Sequence, residues 1–150
     1  MAPGPDLDLV RRLAAADQGL AVLATTRPDG SVHTSLVNAG VLDHPVTGAP
    51  CIGLVARGDA RKLAHLRRAG RAAVVFRAGW EWVSVEGPVE LVGADDTHEW
   101  FPSEDLPGLL RDIFRAAGGT HDDWAEFDRV MAAERRTAVL VAPARITGNR

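Results

Sequence analysis

The sequence predicts a small antiparallel β-barrel of about six strands, closed or partly closed, whose ends are covered by helices. Two observations favour this mainly β fold with peripheral helices. Short apolar segments recur with turn residues between them, and helices do not regularly separate these segments, as they would in a doubly wound sheet. The 150 residues, 46% of them hydrophobic and 25% charged, suit one domain with its own core.

The first quarter of the chain is predicted to be a capped helix followed by a hairpin. Asp6 caps a short helix that ends at Gly19. LAVLATT (20–26) then indicates a buried strand, RPDG (27–30) a turn, and SVHTSLVNAG (31–40) the partner strand.

A loop, a strand and a helix follow this hairpin. LDHPVTGAP (42–50) is rich in Pro and Gly and predicts the loop, and CIGLVA (51–56) predicts the third strand. DARKLAHLRRAG (59–70) predicts a helix that begins with Asp59 as its cap and ends at Gly70.

Two more strands are predicted at 71–78 and 80–93. In the second of them, side-chain alternation places Trp82 and Ser84 on one face of the sheet and Val83 on the other.

After residue 94 the sequence pattern changes from one typical of strands to one typical of helices. The next segment is predicted to be helical but broken at Pro102 and Pro107. An amphipathic helix at 120–136 is predicted to have Thr120 as its cap, and a last strand follows at 137–143.

Composition excludes several classes of function. The net charge of −3 argues against wholesale nucleic-acid binding, and no apolar stretch is long enough to span a membrane. Cys51 is the one cysteine and no secretory leader is evident, so a cytoplasmic protein without an intrachain disulfide is expected. The five histidines lack metal-ligand spacing, and no metal site is expected.

The segment RGDARKLAHLRRAGR (57–71) is the most unusual in the chain. It contains six cations and one acid, and among the cations is Lys62, the sole lysine beside sixteen arginines. Arg61 and Lys62 fall in the first turn of the predicted helix, with Arg57 just before it. Free backbone N–H groups at a helix start, together with three cations, predict an anion site that could hold a phosphate. A solvated, charged helix face is the alternative.

Four segments also carry a resemblance to a known family. They are a strand followed by Ala60-Arg61-Lys62, the strand WVSVEGPVEL (82–91), the hairpin LATTRPDGSVHTSLV (23–37) and the closing segment TAVLVAPARITGN (137–149). Taken in chain order, they resemble the flavin-binding split barrels of the pyridoxamine 5'-phosphate oxidase superfamily, where the phosphate-binding element often reads Ser-Arg-Lys and a strand ends Val-x-Val-Glu-Gly.

Within that superfamily, RAGWEWVSVEG (77–87) and GGTHDDW (118–124) look most like the short class that uses the deazaflavin F420, with FMN binders as near neighbours. Two departures argue against vitamin B6 oxidation. The chain ends ARITGN (144–149) where those oxidases carry Arg-Leu-Ala-Pro, and it has Trp82-Val83-Ser84 where they have Gln-Val-Arg.

The resemblance implies a homodimer with two cofactor sites between its subunits. Arg61 and Lys62 would bind the cofactor phosphate, with Arg57 assisting. Trp80 and Trp82 would reach across the interface and wall a pocket for a small-molecule substrate. The residues expected beside the tricyclic ring are Ser35, Leu36, Val37 and Asn38.

The implied activity is that of an F420-dependent oxidoreductase, which transfers a hydride between the reduced deazaflavin and a small organic acceptor. The acidic tail of F420 would suit a basic strip. FMN is the alternative cofactor, and a non-catalytic carrier or sensor of a flavin or haem is the alternative function. His33 and Ser84 are both open as proton donors.

Overall fold

The computed structural model describes residues 4–149, which form a closed antiparallel β-barrel of six strands with helices around it. A short 3-10 turn at Ser103–Asp105 precedes the third helix. The helices and strands in chain order are α1 Leu7–Ala16, β1 Leu20–Thr26, β2 Val32–Asp43, β3 Pro50–Ala56, α2 Arg61–Ala69, β4 Arg71–Ala78, β5 Glu81–Val92, α3 Leu106–Ala116, α4 Trp124–Ala133, β6 Thr137–Val141 and β7 Arg145–Gly148.

Strand β5 closes the barrel. The sheet runs β4-β1-β2-β3-β6-β5, and a further pairing joins β5 back to β4. The first part of β5 pairs with β4 up to Pro88, and its last four residues, 89–92, pair with β6. Strand β7 adds to the free edge of β5 opposite β4. The predicted barrel of about six antiparallel strands is therefore confirmed.

Two apolar clusters hold the helices against the sheet. The barrel interior is filled by strand residues together with Val10 and Leu13 of α1 and Leu63 and Leu66 of α2, all of which are buried. The second cluster lies outside the barrel, where α3 packs on β2, β3 and β6, and α4 packs on α3. Ile113 of α3 is at its centre. The helices contact β2 near Gly40, and a groove remains beside the preceding part of this strand, at residues 36–38.

Two predicted helix caps are wrong. The second helix starts after Ala60, which makes no side-chain capping bond, and Asp59 instead lies 3.4 Å from Arg57. The fourth helix is capped by Asp123, whose carboxylate accepts from the backbone N–H of Glu126, and not by Thr120. A cap must lie two or three residues before the amide it serves, and Asp123 meets that spacing.

Three predictions about segment boundaries also need correction. The predicted strand 137–143 ends at Val141, and β7 forms a further strand within the closing segment. Pro107 does not break a helix, because it lies in the first turn of α3, where no backbone N–H is required. The loop predicted at 42–50 is shorter, since β2 runs to Asp43 and β3 begins at Pro50.

The first strand was predicted to be buried, but one of its faces is open. Leu20 and Val22 are 37% and 38% exposed, whereas Ala21 and Leu23, which alternate with them, are in the core. An apolar run alone cannot distinguish a strand buried on both faces from one with an uncovered apolar face.

Within residues 4–149, the structure has no helix of the length and hydropathy that crossing a bilayer would need.

Helix α3 approaches β2 closely at Gly40. A Cβ atom at this position would lie 2.1 Å from the carbonyl oxygen of Ala116, which is backbone and cannot rotate away. We therefore expect Gly40→Ala to lower the free energy of unfolding by about 1–3 kcal/mol, because α3 must shift. Gly108→Ala is the matched control: its Cβ would meet nothing within 4 Å, and helix propensity favours Ala by up to about 1 kcal/mol. Urea unfolding of both variants measures the difference; equal stabilities would contradict the close approach.

Candidate functional site

A groove of about 690 Å³ runs along the outside of the barrel. One wall is formed by β2 and the end of β3, and the other by α3 and α4. The start of α2 closes one end with the segment 57–62. This volume lies within the range of small-molecule and cofactor pockets, which is about 300–1,000 Å³.

The helix wall of the groove is aromatic and apolar. Phe114, Phe127 and Met131 line it, and they face Leu36 of β2 across the groove. Phe114 is held by Phe127 at a ring distance of 5.0 Å and by Trp124 at 6.1 Å. A slot with rigid aromatic and apolar walls suits a planar ring system.

Three cations gather at the α2 end of the groove: Arg57, Lys62 and Arg136. The carboxylate of Glu134 joins two of them. The Arg136 Nε donates to Glu134 Oε1 at 2.9 Å, and the Arg57 Nη1 lies 3.5 Å from Glu134 Oε2. Asp59 is also near Arg57, at 3.4 Å.

The side chain of Lys62 makes no hydrogen bond or ion pair with any residue between 4 and 149. Partial burial lowers the pKa of its ammonium group below the ordinary lysine value, and the neighbouring charge of Arg136 lowers it further. Both effects oppose a positive charge at this position. A bound anion would reverse them, so this end of the groove is suited to a phosphate.

Asn38 lines the groove, and its side-chain amide is held by two hydrogen bonds. Its Nδ2 donates to the carbonyl oxygens of Gln18 at 2.8 Å and Ala117 at 3.1 Å. Two carbonyl partners require the nitrogen on this side, so the Oδ1 atom is left to accept from a ligand. A second cavity of about 700 Å³ shares Asn38 and Ala117 with the groove, so the two cavities meet at this side chain.

The groove brings together more than half of the predicted site residues. Those that line it are Leu36, Val37, Asn38, Arg57 and Lys62.

Four predicted residues do not line the groove of this chain. Ser35 lies on the inward face of β2, where its Oγ is buried without a hydrogen-bond partner. Arg61 lies on the same face of α2 as His65, four residues further along. Trp80 is 93% exposed at the tip of the β4–β5 hairpin, and together with Trp82 it lines a separate surface pocket. The predicted role of the tryptophans at a cofactor site therefore depends on a second copy of the chain.

The two candidate proton donors also lie outside the groove. The His33 ring is 5.4 Å from the His65 ring beneath α2, and its Nδ1 is buried without a partner. Ser84 lies on the same face of β5 as Trp82. Neither side chain is positioned to move a proton at a ligand in this groove.

Sequence reasoning missed Arg136 and the helix wall. The signal for Arg136 is the pairing of β3 with β6, in which Ala56 lies opposite Thr137. Arg57 and Arg136 are the adjoining residues, so this antiparallel register brings the two guanidinium groups to the same end of the groove. Predicting Arg136 therefore required the strand pairing, and not a motif.

The expectation that the chain has no metal site stays a prediction. Within residues 4–149, the structure contains no group of three or more His, Cys, Asp or Glu side chains arranged to hold a metal ion. Partial burial and the neighbouring acids Glu90 and Asp43 raise the pKa of the Cys51 thiol to about 11, so it is not a reactive thiolate at neutral pH.

Comparison with known proteins identifies the family of the chain. Residues 10–148 match the family model described as pyridoxamine 5'-phosphate oxidase. Similar solved structures include a conserved hypothetical protein from Mycobacterium tuberculosis, with 23% identity and a TM-score of 0.66 over 95% of this chain and 80% of that one.

Two other similar structures carry a cofactor in their names. An FMN-binding protein related to pyridoxamine 5'-phosphate oxidase, from Nostoc punctiforme, is 12% identical with a TM-score of 0.65, covering 97% of this chain and 84% of that one. A protein named F420 reductase is 13% identical with a TM-score of 0.62, covering 97% and 98%. At such identities the three structures share the fold.

The unpaired charge of Lys62 gives a prediction for stability without ligand. Its pKa is lower in the folded than in the unfolded chain, so the charged side chain opposes folding at neutral pH, and stability rises as pH rises through the native pKa. In anion-free buffer we expect Lys62→Met to raise the free energy of unfolding, by on the order of 0.5 kcal/mol.

Arg67→Met is the matched control on the same helix. The Arg67 guanidinium donates two hydrogen bonds to Asp96, at 2.9 and 2.7 Å, and its loss is expected to lower stability by up to about 1 kcal/mol. Urea unfolding at pH 7 distinguishes the two variants. A loss of stability in Lys62→Met as large as that in Arg67→Met would contradict the unpaired cation.

Proposed function

The chain belongs to the pyridoxamine 5'-phosphate oxidase family, and we propose that it is an oxidoreductase that uses the deazaflavin F420. It transfers a hydride between the reduced cofactor and a small organic acceptor. The observation that carries this proposal is the cationic end of the groove, where Lys62 has no partner among residues 4–149 and lies beside an aromatic slot.

The cationic end holds the cofactor phosphate. Lys62 supplies a compact charge that needs a counter-ion, and Arg57 and Arg136 supply guanidinium groups that can bind oxygen atoms in pairs. Glu134 keeps these two arginines in place before the ligand arrives. Arg57 is also positioned to interact with the acidic tail of F420.

The aromatic slot holds the tricyclic ring. Leu36, Phe114 and Met131 line the slot and would hold the ring by apolar contact. The Oδ1 atom of Asn38 would be available to accept a hydrogen bond from an N–H group of the ring, and the backbone of segment 35–38 would supply further polar groups. These contacts fix the orientation of the ring without a charged side chain at its centre.

For the reaction, the protein would orient the bound cofactor and keep water away from it. Bound F420 would supply the hydride chemistry, and the chain's residues determine what reaches the ring. The second cavity, which meets the groove at Asn38 and Ala117, is where a small acceptor binds. A catalytic acid is not required of this chain for the transfer itself.

FMN is the alternative cofactor, because it also joins a tricyclic ring to a phosphate. The arginines beside Lys62 favour the more highly charged F420. A haem carrier is less well supported, since the residues that line the groove include no histidine, and Met131 is the one soft ligand among them.

We propose that the functional unit is a homodimer. The outward face of β1 and β2 carries Leu20, Val22 and Leu36, which are 37%, 38% and 67% exposed. Val22 lies opposite Leu36 in the strand register, so these side chains form a continuous apolar patch at the edge of the groove. A second copy would cover the patch and bring Trp80 and Trp82 to the partner's groove.

A cofactor titration tests the proposed function. We expect quenching of tryptophan fluorescence on addition of F420, with weaker binding of FMN, because Trp124 contacts the aromatic wall of the groove. Lys62→Ala should weaken F420 binding at least about tenfold, the loss of one charge-assisted contact, while Arg67→Ala should change it less than about twofold, since Arg67 pairs with Asp96. Equal binding by both variants would contradict the phosphate site.

An assay of catalytic turnover distinguishes an enzyme from a non-catalytic carrier. Reduced F420 is mixed with the protein and a panel of reducible organic acceptors, and the recovery of oxidised F420 absorbance is followed. We expect protein-dependent oxidation with at least one acceptor. Tight binding with no turnover over the panel would favour the carrier.

Disruption of the apolar patch tests the homodimer. We expect Val22→Asp to convert the dimer to a folded monomer, because a carboxylate would be buried in the interface without a partner. Val46→Asp is the matched control: Val46 is 56% exposed in the loop between β2 and β3, outside the patch. Light scattering after size exclusion gives the mass of each variant, and a monomeric parent protein would contradict the proposal.

A further inference from the structure

The ring of Phe114 lies on the boundary between the groove and the second cavity. Phe114 belongs to helix α3 and lines the groove. Its ring also rests on Gly119, which lines the second cavity. A Cβ atom added at Gly119 would lie 2.5, 2.6 and 2.7 Å from three carbon atoms of this ring. The ring therefore has the groove on one side and a residue of the second cavity on the other.

This contact accounts for the second of the two glycines that follow α3. Gly118 has a φ of 90°, in the left-handed region that favours glycine, and its amide donates to the carbonyl oxygen of Arg115 at 2.9 Å. The φ of Gly119 lies outside that region, and its amide donates to the carbonyl oxygen of Phe114 at 2.9 Å. The turn requires glycine at 118, whereas at 119 the ring of Phe114 leaves no room for a side chain.

Neighbouring aromatic side chains hold the Phe114 ring in this position. The rings of Phe127, Trp124 and His121 have centres 5.0, 6.1 and 6.4 Å from its own. The guanidinium group of Arg115 lies over the Trp124 ring, 4.4 Å from its centre. Tilted and edge-to-face contacts at such distances are attractive, so moving the Phe114 ring away from the groove would break several of them.

The opposite side of the connection between the two cavities is fixed as well. The cavities share Asn38 and Ala117. The Nδ2 atom of Asn38 donates to the carbonyl oxygens of Gln18 and Ala117, at 2.8 and 3.1 Å, and Ala117 is buried at the end of α3. A ligand that extends from one cavity into the other must therefore pass between an amide held by the backbone and a ring held by other rings.

We infer that Phe114 is the specificity-determining residue for the acceptor, and that its ring admits planar acceptors one ring wide and excludes wider ones. The inference rests on the proposed function, in which the groove holds the cofactor and the second cavity holds the acceptor. A single planar ring can pack against the Phe114 ring, whereas a fused ring system would have to displace it. A difference of one methylene group in an apolar pocket changes kcat/KM by about 10–200-fold, so a whole ring is a strong filter.

Two neutral quinones of different width test the inference. Duroquinone has a single ring, and phenanthrenequinone has a fused system of three rings. Each takes a hydride from reduced F420 and a proton from solvent and becomes the hydroquinone, while F420 is oxidised. We expect Phe114→Leu to raise the ratio of kcat/KM for phenanthrenequinone to kcat/KM for duroquinone at least about tenfold.

Phe127→Leu is the matched control. Phe127 lines the same groove from α4, but the three atoms nearest to a Cβ at Gly119 all belong to Phe114. Loss of the Phe127 ring should act on both acceptors alike and change the ratio less than about twofold.

Gly119→Ala provides a change of the opposite sign. Its added methyl group would push the Phe114 ring toward the groove, so we expect the ratio to fall below that of the parent protein. Combining Gly119→Ala with Phe114→Leu should restore it, because the shorter side chain leaves room for the methyl group.

Urea unfolding tests the contact without any cofactor. Gly119→Ala should lower the urea midpoint of the parent protein, and should lower it less in a Phe114→Ala background, where the ring is absent. Gly108→Ala is the control for the cycle: its Cβ would meet nothing within 4 Å, so it should shift the midpoint equally in both backgrounds.

These measurements separate the inference from the proposed function. A parent protein that neither binds nor oxidises reduced F420 would sink the proposed function alone. The ratio would then be taken from the Kd of each quinone with the free protein, measured by quenching of tryptophan fluorescence, with the same expected changes.

Three results would overturn the inference. They are equal changes of the ratio in Phe114→Leu and Phe127→Leu, a ratio that rises in Gly119→Ala, and midpoint shifts of Gly119→Ala that are the same in both backgrounds. Circular dichroism establishes that each variant is folded. If Phe114→Leu does not fold, Phe114→Met replaces it, with the same expected direction and the same control.

Discussion

The pairing of β5 with both β4 and β6 is the constraint on which the rest of the structure depends. Because β5 is long enough to leave β4 at Pro88 and continue along β6, six strands close on themselves. Closure pairs the strands all the way round and encloses an interior that is filled by apolar side chains. Helices α3 and α4 must then pack outside the barrel, and the groove between them and β2 is a consequence.

The same closure determines the charge of the groove. Strand β6 lies between β3 and β5, and its register with β3 brings Arg136 beside Arg57 at the end of the pair. Gly58 donates a backbone hydrogen bond to the Glu134 carbonyl oxygen, which fastens the loop before α2 to the segment before β6. Two regions almost eighty residues apart therefore supply one cationic site, and Lys62 completes it without a carboxylate of its own.

Helix α2 connects the two ionic regions of the molecule. Leu63 and Leu66 fix its orientation by filling the barrel end, so Lys62 is turned toward the groove and Arg61, His65 and Arg68 toward the β1–β2 turn. Arg67 is balanced by Asp96, whereas the cations on the other two faces are not balanced by carboxylates in the same way. Because the chain as a whole has a net charge of −3, this positive charge is a local feature of α2 and its neighbours.

The sequence by itself determined the barrel class, the basic helix and five of the residues that line the groove: Leu36, Val37, Asn38, Arg57 and Lys62. Strand alternation, turn residues and the helix stop at Gly70 are local signals, and they predicted β1 to β5, α2 and the position of Lys62 in its first turn. Tertiary structure decided the rest: the partnership of Arg57 with Arg136, the aromatic wall from α3 and α4, the free acceptor of Asn38 and the separation of Arg61 from Lys62. Each of these depends on strand register or helix packing, in which residues far apart in the chain become neighbours, and local periodicity contains no information about such pairs.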